Sequence, residues 1–166
     1  MKTSAAIVLV ALLSQASAFA QDKGKFDIKS DIPFVGSNIK HSLVTLPVPP
    51  DKDYAQLTAE QKELVRASYN NMPAGDEPPY PLGGLKTLYK GVADAQQILK
   101  TRGALNMMAK VGADGKVTNV SVFTSPDPKM TQIVAAMLVI QQFKPALCQG
   151  QPCAMDFSLN MNLGLE

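Results

Sequence analysis

Between positions 155 and 163 apolar and polar residues alternate without a break: Met155, Phe157, Leu159, Met161 and Leu163 against Asp156, Ser158, Asn160 and Asn162. A period of two belongs to a half-buried strand, so the spacing predicts a strand with one apolar and one polar face. The same period runs through Leu105, Met107, Ala109 and Val111, which alternate with Asn106, Met108 and Lys110. Gly112-Ala113-Asp114-Gly115 then reads as a hairpin turn, because Asp-Gly tolerates the positive φ angles such turns need, and Lys116 to Thr124 reads as the returning strand.

Between hairpin and final strand the period changes. Asp127 to about Phe143 carries Met130, Ile133, Val134, Met137, Leu138 and Gln141 at three- and four-residue intervals, an amphipathic helix able to cover one side of a sheet. Asp127 is suited to cap it and Pro128 to its first turn. A second helix is predicted over 85–100, where Leu85, Leu88, Val92, Ala95 and Leu99 form a stripe weakened at Gly91. A short third one should start at Thr58, which with Gln61 has the spacing of a capping box. Met107, Met108, Met130, Met137 and Met155 fall at or near core positions and read as flexible gap-fillers.

Upstream the pattern dissolves. Residues 21–56 are polar and broken by Pro33, Pro47, Pro49 and Pro50, with short apolar pieces at 32–35 and 43–46 that suit a strand or an extended strap. Pro78, Pro79 and Pro81 likewise make 74–81 an extended loop. The expected class is α+β: a small antiparallel sheet of hairpin, helix and final strand with one helix packed on a face, preceded by two additional helices and an extended N-terminal segment. The domain spans 57–166, with its core at 80–163.

The first twenty residues have the order of a secretory signal: Lys2, the apolar run from Ala5 to Leu13, then small residues with cleavage sites after Ala18 or Ala20. Nine apolar residues reach roughly 14 Å as a helix, about half of a bilayer core, so no stable membrane anchor is expected. Removing 1–20 leaves 15 basic against 14 acidic residues, since Lys2 is the charged residue in that stretch. So balanced a charge gives no electrostatic reason to expect nucleic acid or anionic lipid as partner. In an exported chain the pair Cys148 and Cys153 most simply forms a disulfide, in keeping with an oxidising compartment outside the cytoplasm.

Candidate chemistry is sparse. Cys148 and Cys153 enclose four residues where a thiol-exchange motif encloses two. Zinc needs more ligands than these and the single distant His41 supply, and no metal or other cofactor is expected. Asp76 and Glu77 are adjacent carboxylates, but neighbours in an extended segment point in different directions, and solvated loop charges are the simpler reading. There is no Ser-His-acid set and no phosphate loop, so no catalytic residue is assigned and the chain is not expected to be an enzyme.

Gly103 before the first strand, Asp114-Gly115-Lys116-Val117 at the hairpin, Phe143-Lys144-Pro145-Ala146 after the helix, and Gly150-Gln151-Pro152 before the last strand occur in this order behind Tyr80-Pro81. Over 80–163 the chain thereby resembles the TonB C-terminal domain family. The resemblance implies a periplasmic module that recruits an extended segment of a protein or peptide partner in the cell envelope, such as an outer-membrane transporter, by adding it to a sheet edge. The final strand would supply that edge, with Asp156, Ser158, Asn160 and Asn162 as partner-binding residues. An energy transducer of that family has a membrane anchor and a long proline-rich spacer; this sequence has neither, which favours a free periplasmic relative. Two other readings remain: an accessory or structural envelope protein with this fold and no transport role, and a periplasmic enzyme.

Overall fold

The computed structural model describes residues 26–28 and 47–164. The signal segment, the apolar pieces at 32–35 and 43–46, and His41 lie outside the described residues.

The centre is a sheet in the order β1-β4-β3-β8, built from β1 (Phe26–Ile28), β3 (Gly103–Val111), β4 (Val117–Thr124) and β8 (Met155–Leu163). β4, β3 and β8 are antiparallel neighbours, while β1 joins β4 in parallel, with Phe26 opposite Val120 and Ile28 opposite Val122. The hairpin between β3 and β4 forms where expected. Gly115 lies at φ 77°, and its N–H donates to the Gly112 carbonyl at 3.0 Å. Asp114 Oδ1 accepts from the Lys116 N–H at 3.1 Å, the local bond that makes Asp useful in such turns.

Three helices follow the predicted starts. In α1 (Ala59–Arg66) the Thr58 hydroxyl oxygen accepts from the Gln61 N–H at 3.2 Å while Gln61 Oε1 accepts from the Thr58 N–H at 3.0 Å, a reciprocal cap. In α3 (Pro128–Ile140) Asp127 Oδ1 accepts from the N–H groups of Lys129 and Met130 at 2.8 and 3.1 Å. α3 stops at Ile140, earlier than the sequence suggests, because Gln141 is extended and Phe143–Lys144 forms a short strand, β5, paired with β2 (Tyr80–Pro81).

α3 lies on β3 and β4, and α2 (Lys86–Leu99) packs along α3. Leu88, Val92 and Ala95 of α2 join Met130, Val134 and Leu138 of α3 in one core with Leu105, Met107, Ala109, Val120, Phe157 and Leu159. The sheet therefore hides its apolar face beneath α3 with α2 alongside it. Gly91, which sequence alone marks as a weak point, is where the helices approach: an added Cβ would run into the tip of Met137. Met137 leans toward α2, and Ile133 is left at the rim, 39% exposed, despite its place in the apolar pattern.

β6 (Ala146–Cys148) and β7 (Gln151–Cys153) form a small hairpin turning through Gln149 and Gly150, both at positive φ. The Cys148–Cys153 disulfide closes it, with the Cα atoms 5.8 Å apart.

Candidate functional site

β8 pairs with β3 through nine consecutive residue pairs, from Val111 opposite Met155 to Gly103 opposite Leu163, with no register shift, whereas the β3–β4 ladder is interrupted twice. Among the described residues no strand pairs with its other border. Natural sheets usually blunt such an edge with Pro, Lys, a bulge or brevity. β8 has none of these devices, and Asp156 is its single charge.

Both ends of the strand are held. The Tyr69 hydroxyl donates to the Asp156 carbonyl at 3.0 Å, and Gln96 Nε2 of α2 donates to the Gly164 carbonyl at 2.7 Å. A strand fixed at both ends loses little further freedom when something pairs with it, which favours binding.

The alternation sorts its side chains as expected. Phe157, Leu159 and Leu163 are buried in the core, and Asp156, Ser158, Asn160 and Asn162 share the opposite face. That polar face is not simply a water-facing surface: Asn162 is exposed, but Asp156, Ser158 and Asn160 are half-buried. Tyr69 and Met108 are buried in a second small cluster there, flanked by Met72, Phe123 and Met155. Met108, which alternation assigns to the polar side, is buried because the residues after α1 cover it. Tyr69 was missed as a site residue; the one hint in the sequence is an aromatic residue just past the end of a short helix.

Burial raises the Asp156 carboxyl above the ordinary carboxylate range, opposed by the charge of Lys110, its register partner on β3. The Tyr69 hydroxyl is pushed well above the usual tyrosine range, by burial first and by Asp156 second. Asn160 Oδ1 is buried with no hydrogen-bond partner among the described residues.

A concavity of about 880 Å³ opens between α1 and the loop at 74–77, lined in part by Tyr54, Lys62, Glu63, Arg66, Gly75 and Glu77. The ammonium groups of Lys144 and Lys62 stand 4.7 and 5.3 Å from the Tyr54 ring centre, and Lys144 pairs with Glu77 at 2.9 Å. Burial, then Glu77, pushes the Tyr54 hydroxyl up to about 12, which leaves it protonated and unsuited to act as a base near neutrality.

The adjacent Asp76 and Glu77 do not act as a pair, nor are they solvated loop charges. Buried Asp76 accepts the Gln149 N–H at 2.8 Å through Oδ1, and its carbonyl accepts from the Arg66 guanidinium, while Glu77 turns to Lys144. Both carboxylates are thus committed to holding the disulfide hairpin and β5 in place. Among the described residues no three of His, Cys, Asp and Glu converge as a metal-ligand set, and none of the cysteines is free.

No model of a known protein family matches the chain. No curated protein matches it at a significant level.

Proposed function

We propose that this protein is an exported, TonB-like periplasmic binding module that takes up an extended segment of an envelope or transporter protein along the outer border of β8. The observation that carries this reading is the edge itself: nine residues in unbroken register with β3 and no strand on the other side among the described residues. Main-chain donors and acceptors of such a border supply affinity to an added strand, and the alternating side chains supply selectivity. The disulfide is compatible with export, and among the described residues no helix is long and apolar enough to cross a membrane.

The test is a titration of isotope-labelled protein with synthetic peptides copied from extended segments of outer-membrane transporters, followed by amide chemical shifts. Shifts concentrated on 155–163 and Tyr69, with the peptide recovered unchanged, are expected. Shifts confined to the groove around Tyr54, or none with any peptide, contradict the reading.

A further inference from the structure

Asn160 has unused bonding capacity at the middle of the border. Its amide can accept at the oxygen and donate twice at the nitrogen. Oδ1 is buried and finds no donor among the described residues, although Asn106 stands opposite on β3. Buried acceptors are ordinarily satisfied, and leaving one without a donor is costly. The missing donor has a natural source. A strand added to β8 places one side chain beside Asn160 on the same face, at about the 5 Å spacing of directly opposed residues.

The flanking positions narrow what that strand carries. Ser158 and Asn160 are half-buried and uncharged, so a charged side chain set directly beside them would give up water for uncharged neighbours. The Asp156 carbonyl is already bonded to Tyr69, which leaves 157–163 for pairing. On the other face the segment runs past Phe157, Leu159 and Leu163 at the rim of the core, which favours apolar residues at its alternate positions.

We infer that the segment taken up by β8 alternates apolar and uncharged polar residues and sets an asparagine or glutamine beside Asn160. This extends a row of amides from Asn106 through Asn160 into the partner. An ammonium only donates, and a hydroxyl does both through one oxygen, whereas an amide donates and accepts through separate atoms and so can form two bonds with the Asn160 side chain at once in either of its orientations. The inference rests on the edge-addition reading above and adds to it the chemistry of the partner.

The experiment pans a library of randomised nine-residue peptides against the whole chain, then repeats the selection on Asn160→Leu and Asn160→Asp. Binders should perturb β8 amides, concentrate Asn or Gln at one position, and lose about tenfold in affinity when that residue becomes Leu. Asn160→Leu should abolish the preference. Asn160→Asp, which keeps the shape but only accepts, should turn it toward Lys and Arg, and it serves if the Leu variant does not fold. Binders that perturb β8 with no amide preference overturn the inference and leave edge addition standing. A library yielding no binder that perturbs β8 overturns both.

Discussion

The Tyr69 hydroxyl donates to the carbonyl oxygen of Asp156 at 3.0 Å, tying the residues just after α1 to the start of the final strand across 87 positions of sequence. The ring is buried, and it closes the second face of the sheet over Met108. Tyr69→Phe keeps that ring and deletes the bond, so it should cost about 1 kcal/mol in denaturant unfolding at neutral pH. Because the folded-state hydroxyl titrates above its unfolded value of about 10, its contribution is complete below that pH and is lost as pH rises further. The gap between variant and parent should therefore narrow above about pH 10.

Asp156 behaves in the same sense at the acid end. Its carboxyl is raised, chiefly by burial, so folding favours the protonated form. The associated stability is present below about pH 4 and is lost as pH rises through the folded-state value. Asp156→Asn should then melt slightly higher than the parent at pH 7, and the difference should disappear in melts below about pH 4.

Gly115 tests the hairpin. At φ 77° a side chain is strained, and an added Cβ would strike the Phe143 carbonyl, which is backbone and cannot step aside. Gly115→Ala should destabilise by about 1–3 kcal/mol, toward the upper end because strain and collision act together. Chemical denaturation measures it directly.

The strands and helices that position the site were legible because their causes are local. Strict alternation marked β8 and β3, Thr58 with Gln61 marked the start of α1, and Asp127 with Pro128 marked that of α3. What escaped depends on distant partners. Phe26–Ile28 becomes a strand only because β4 offers it a border, and Tyr80–Pro81 only because Phe143–Lys144 lies beside it. Of the site, the four polar residues of β8 were readable, but the half-burial of Asp156, Ser158 and Asn160 was not. Tyr69 and Met72 pack with Met108 on that face, and Tyr69 bonds to Asp156, a placement that no period in the sequence announces.

The disulfide should matter locally more than globally. Replacing both Cys148 and Cys153 by Ser removes the closure of a short loop, a loss of about 2 kcal/mol on the chain-entropy model. The hairpin also receives Asp76 at Gln149 and exchanges two backbone bonds between Leu147 and Glu77. Faster amide exchange should thus appear at 76–77 as well as 146–153, with β8 little changed.

The account stands most directly on amide hydrogen exchange along β8, measured with and without a bound extended peptide. In an edge strand every second N–H points away from the sheet, so exchange in the free protein should alternate fast and slow from Asp156 to Asn162. Peptide should slow the fast set and leave the slow set as it was. Uniformly slow exchange in the free protein, or an alternation that peptide leaves untouched, would contradict the claim that this border is open and is where the partner joins.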